Sequence, residues 1–132
     1  ALIKGSLMAH TPKRVVPVTV DVKTNPDGSV GITCSPNPAN IIEGTSNVLL
    51  DFTLATAGYR FRRAKTIEMD APVEDFPYAS WTLSDTQAAL YDCNKIADLL
   101  KYTVHVVDIQ TGQEYSVDPE IKNGGGGSGT DC

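Results

Sequence analysis

Apolar and polar residues alternate along this chain in short runs, and turn-forming residues separate the runs. From Val16 to Val22, VPVTVDV places valine at every second position, the period of a half-buried strand. NPDGS behind it carries hairpin-turn chemistry, and SVGITCS is predicted to return antiparallel. PNPANIIEGT reads as a loop whose prolines interrupt a ladder. SNVLLDFTLAT and YRFRRAKTIEM read as two further strands, joined through Ala57-Gly58 into a second hairpin. DAPVEDFP leads into YASWTLS, a short strand with Trp81 as the expected core anchor.

SDTQAALYDCNKIADLL supports two descriptions. Ser84 and Gln87 have capping-box spacing, and Leu90, Tyr91 and Ala97 form a helical stripe, so a short helix or a turn is expected. KYTVHVVDI and QEYSVDPEI flank QTGQ as a hairpin. The sum is about seven or eight strands with one crossing segment. It predicts an all-β, Ig-like β-sandwich whose C-terminal strand follows an Asp-Pro pair.

The 132 residues fit one domain, expected over 8–123 with Met8 as its start. Residues 1–7 read as a tag or linker remnant and 124–132 as a flexible Gly/Ser tail. A net charge of −5 argues against a nucleic-acid partner, which needs Lys and Arg to displace counterions. No apolar run approaches the roughly 20 residues that span a bilayer, and ALIKGSLMAH lacks a signal-peptide pattern, so a soluble, non-membrane protein is expected. Cys34, Cys93 and Cys132 form no metal-type pair, and their odd count leaves at least one thiol without an internal partner. DTQAALYDC resembles the Tyr-x-Cys pattern of immunoglobulin domains, but Trp81 shortly precedes Cys93 instead of following Cys34. This order disfavours a Cys34–Cys93 bridge.

Hydrolase elbows, phosphate loops and dinucleotide fingerprints are absent from the sequence. The acidic run Glu68, Asp70, Glu74 and Asp75 lacks the spacing and glycine of a calcium loop and reads as a solvated loop. His10 and His105 are too isolated for a zinc site, and no cofactor or metal is expected. His105 reads as a face residue or hydrogen-bonded partner, and Arg60 and Arg62 as surface charges.

What remains is Asp118-Pro119, followed by Glu120. An aspartate carboxylate reaches its own backbone carbonyl through a five-membered ring, and proximity gives such an attack a large effective molarity. Proline provides a basic leaving nitrogen. A neighbouring carboxylic acid able to hold its proton at neutral pH can protonate that nitrogen.

YTVHVVDIQTGQEYSVDPEIKNG, with ITCSPNPANI, NVLLDFTL and LYDCN, resembles the DP-EP family of small bacterial self-cleaving endopeptidases over most of the chain between about Val16 and Asn123. Its most specific part is the hairpin with a Thr-Gly turn ending in Tyr-Ser-Val-Asp-Pro. The resemblance implies a β-sandwich that cuts its own Asp118–Pro119 bond and keeps the C-terminal piece bound as a strand. It also implies an aspartic-peptidase-like second carboxyl. Glu68 is the first choice, as an inward side chain facing the final strand; Asp70, on the same face, is second, and Glu120 third. The partner is then the chain's own C-terminal segment, with strand-swapped homo-oligomers as a possible consequence. A non-catalytic Ig-like binding or structural module with an incidental Asp-Pro remains the alternative, and a cation-binding β domain a distant third.

Overall fold

The structure is a computed structural model and describes residues 12–70 and 74–128. Met8, His10, Cys132, the proposed remnant 1–7 and the tail end 129–132 lie outside the described residues. The described residues form eleven strands and no helix: β1 (Arg14–Thr24), β2 (Val30–Ser35), β3 (Ala39–Ile41), β4 (Val48–Leu54), β5 (Tyr59–Phe61), β6 (Ile67–Met69), β7 (Trp81–Ser84), β8 (Gln87–Asp92), β9 (Asp98–Asp108), β10 (Glu114–Val117) and β11 (Glu120–Asn123). The chain is therefore all-β, in two mixed sheets. One sheet runs β2-β1-β4-β8-β7; in the other, β10, β11, β5 and β6 all pair with β9, and β3 lies beyond β11.

Residue alternation produces the core. β1 buries Val16, Val18, Val20 and Val22 and exposes the residues between them. The facing sheet contributes Tyr102, Val104 and Val106 from β9 with Phe61 and Ile121, all fully buried. Phe52 of β4 meets Tyr102 of β9 edge-to-face at 5.7 Å between ring centroids, so the two sheets pack face to face as in a sandwich.

The β1–β2 hairpin has the expected pairing, with Gly28 in the left-handed region that its turn requires. The second expected hairpin does not form. β4 pairs parallel with β1 and antiparallel with β8, whereas β5 crosses to the other sheet and pairs with β9. Only the short Ala55–Gly58 connection separates β4 from β5, and local spacing gives no signal that it changes sheet. The expected helix or turn after Ser84 is the β7–β8 hairpin, because Ala88, Leu90 and Asp92 pair with Phe52, Leu50 and Val48 of β4. Trp81 is 42% exposed on the edge strand β7 and anchors no core. PNPANIIEGT, expected to be all loop, contains β3.

The C-terminal glycines are built into the fold as far as they are described. Gly124 donates to the Ile41 carbonyl at 2.9 Å, Gly126 to Lys95 at 3.0 Å and Gly127 to Asn94 at 2.8 Å, and the Gly125 carbonyl accepts from Gly44 at 2.8 Å. A Cβ on Gly124 would lie 2.5 Å from the Glu43 nitrogen, and one on Gly127 would lie 2.5 Å from the Cys93 carbonyl oxygen. Glycine at these positions permits close backbone approach, and residues 124–127 are not the flexible tail that their composition suggests. Asp75 also departs from expectation: it is fully buried, not part of a solvated acidic loop.

Candidate functional site

β9 forms the spine of its sheet. Tyr102, Val104 and Val106 point into the core, so Lys101, Thr103 and His105 lie on the outer face. β6 runs along one edge of β9, with Glu68 opposite Thr103. β10 and β11 lie end to end along the other edge, with Val117 opposite Val104 and Glu120 opposite Lys101. Between them the ladder is interrupted at Asp118-Pro119, because proline has no N–H to contribute. The break is held on both sides. Tyr102 N–H donates to the Pro119 carbonyl at 3.0 Å, and Glu120 N–H donates to Asn37 Oδ1 at 2.9 Å. Pro119 is buried and Asp118 is exposed.

This register brings two carboxyl groups to one hydroxyl. Thr103 Oγ1 lies 2.7 Å from Asp118 Oδ1 and 2.8 Å from Asp70 Oδ1. A threonine hydroxyl carries one hydrogen, and ionised carboxylates only accept. Both contacts are hydrogen bonds at once when the two carboxyls carry one proton between them. Asp70 is positioned by its own backbone N–H, which donates to Lys101 O at 3.1 Å and extends the β6–β9 ladder by one residue.

Glu68, the first-choice partner, is engaged elsewhere. Its Oε1 lies 2.8 Å from His105 Nε2 and 3.0 Å from an Arg62 nitrogen, and Arg62 also approaches Glu114 at 3.8 Å. Glu68 is also half-buried on the outer face, not inward-facing. Glu120 sits beside Lys101 and contributes its backbone N–H to the fixation by Asn37. Thr103 and Asn37 were not singled out from the sequence. The alternation TVHVV puts Thr103 on the face of His105, which is a legible signal; Asn37 lies 83 positions from Glu120 and gives none. Asp70 borders an open cleft of about 410 Å³ that is also lined by Met69, Phe76 and Tyr78.

Cys34 provides no nucleophile here. Cys34 is free and buried, which rules out a Cys34–Cys93 bridge, and burial pushes its thiol up to about 11. In comparisons with known proteins, the chain matches no protein-family model and no curated protein.

Proposed function

We propose that this protein is an autoproteolytic, aspartic-type endopeptidase that cleaves its own Asp118–Pro119 bond in a single turnover and retains the C-terminal fragment as a strand. An Ig-like sandwich and kinship with the DP-EP endopeptidases belong to the same proposal. The observation that carries it is the Asp70–Thr103–Asp118 chain of contacts beside the break between β10 and β11.

In the favoured route, an ionised Asp118 side-chain oxygen attacks its own carbonyl carbon and closes a five-membered anhydride. The bond to Pro119 nitrogen breaks, and that nitrogen takes the proton brought by Asp70, directly or through the Thr103 hydroxyl. Water then opens the anhydride, leaves two carboxyl groups on Asp118 and returns a proton to Asp70. In the competing route the carboxyl pair activates water against the same carbonyl. Hydroxylamine distinguishes the two, because it traps Asp118 as an acyl adduct only when the anhydride forms.

Retention follows from topology. β11 is an interior strand, antiparallel to β9 and parallel to β3, with Ile121 fully buried, so a severed fragment keeps ladder bonds on both edges. A fragment held this way can exchange between copies and give strand-swapped oligomers. Denaturing electrophoresis with N-terminal sequencing tests the proposal. A fragment beginning at Pro119 is expected; an uncut chain after long incubation at neutral and mildly acidic pH contradicts it.

The second reading is a non-catalytic binding module, favoured by β7, which exposes Trp81 and, at 60%, Leu83 and is an edge strand among the described residues. It predicts an intact chain.

A further inference from the structure

Just past the strand that follows Asp118-Pro119 lies a second polar cluster. Asp75, Asp92, Asn94 and Asn123 are all buried. The Asn123 side-chain amide donates to Asp92 Oδ1 at 3.0 Å and to Asp75 Oδ2 at 3.3 Å. Backbone N–H groups supply the rest: Lys95 to Asp75 Oδ1 at 2.8 Å, Ile96 to Asp75 Oδ2 at 3.1 Å and Asn94 to Asp92 Oδ1 at 2.9 Å. Two buried side-chain atoms of the cluster have no partner, Asp92 Oδ2 and Asn123 Oδ1. Leaving both unsatisfied in the interior is costly. Reversing the Asn123 amide aggravates the problem, because it sets a carbonyl oxygen against two carboxyl groups.

One proton resolves both. A carboxylic acid and a primary amide are complementary: the amide N–H donates to one acid oxygen while the acid O–H donates to the amide oxygen. We propose that Asp75 and Asp92 form an asparagine-reading socket that anchors the C-terminal strand, with Asp92 in its acid form and paired reciprocally with Asn123. The ligand class is an extended segment with a buried apolar residue, a primary amide two positions later, and glycines after it. Here these are Ile121, Asn123 and Gly124–Gly127, where the main chain leaves no room for Cβ atoms at Gly124 and Gly127. Asn94 completes the socket by accepting the Gly125 N–H on its side-chain oxygen at 2.9 Å.

The surroundings favour the proton. Burial pushes the Asp92 carboxyl up to about 7; the nearby Asp75 charge acts in the same direction, and the Asn94 N–H and Asn123 amide oppose it. β4 brings the uncharged Val48 opposite Asp92, β11 brings Asn123, and Lys95 turns a backbone N–H toward Asp75. Because the folded protein binds this proton more tightly than the unfolded chain does, the anchor is strongest in acid. It weakens as pH rises from the ordinary carboxyl range toward about 7, then levels off. This holds whether or not the Asp118–Pro119 bond is cut.

The test uses the full chain with Asp118→Ala, so that cleavage cannot confound it. Hydrogen exchange at Ile121 and Asn123, corrected for intrinsic rates, is expected to show opening that rises roughly tenfold per pH unit between about pH 5 and 6.5 and flattens above 7. Asp92→Asn offers a donor and an acceptor without titrating, so it should remove that dependence while keeping protection at pH 8 at or above its parent's. Protection independent of pH in the parent, or lost at every pH in Asp92→Asn, overturns the proposal. Should that variant fail to fold, carboxyl ¹³C NMR of the parent decides: Asp92 titrating near neutrality supports the acid form, and Asp92 ionised at pH 5.5 excludes it.

Discussion

Two pairs of carboxyl groups bracket the C-terminal strand, and each is bridged by one neutral side chain. Before β11, the Thr103 hydroxyl joins Asp70 and Asp118, both exposed on the outer face of the sheet. After it, the Asn123 amide joins Asp75 and Asp92, both fully buried. The amide brings two hydrogens and serves both carboxyls at once; the hydroxyl brings one, and donates to only one carboxyl at a time. Exposure decides the rest. Water reaches the first pair, beside a bond that carries its own internal nucleophile, whereas the second pair is sealed under backbone and can only hold. In the proposed reading, the same pairing of groups serves a reactive site at one end of the strand and an anchor at the other.

Substitutions can break this comparison at either end. Asp70→Asn removes the proposed proton donor from the exposed pair and is expected to slow cleavage by about 10²–10⁴-fold, followed as the fraction of cut chain over time. A rate equal to the parent's would remove Asp70 from the chemistry. At the anchor, Gly127→Ala drives a Cβ against the Cys93 and Asn94 carbonyl oxygens and should lower stability by about 1–3 kcal/mol in urea unfolding. Thr103→Val keeps the branched shape and loses the hydroxyl. A slowing of about tenfold is expected if the proton passes through Thr103, with stability changed by less than about 1 kcal/mol. Glu68→Gln sharpens the comparison by doing little. Glu68 is committed to Arg62 and His105, so cleavage should stay within about twofold of the parent and stability within about 1 kcal/mol.

The legible part of this fold is its local alternation. The valines of β1, the Asn25–Ser29 turn and the β9–β10 hairpin all announce themselves through period and turn chemistry. Sheet membership was hidden, because the Ala55–Gly58 connection looks like an ordinary hairpin turn whichever sheet the next strand joins. Ser84 and Gln87 resembled a helix cap, yet long-range pairing of Leu90 and Ala88 with β4 overrode that local preference. The Asp118-Pro119 pair is legible as a dipeptide, and Asp70 as a second-choice carboxyl, but on an expected inward face, whereas Asp70 is exposed on the outer face beside Thr103. That Glu68 contacts Arg62 and His105 while Asp70 contacts Thr103 is not legible in the sequence, because it depends on long-range strand pairing. The anchor was least legible. A run of glycines normally signals a flexible linker, and only the backbones packed against it show why glycine is required.

The central claim, that Asp118–Pro119 is cleaved by the protein's own groups, is tested most directly by intact mass spectrometry under denaturing conditions on fresh and aged protein beside Asp118→Ala. The account predicts two masses that meet between Asp118 and Pro119, increasing with age and absent from the variant. A single uncut mass in both proteins at every age contradicts it and leaves a β-sandwich binding module in its place.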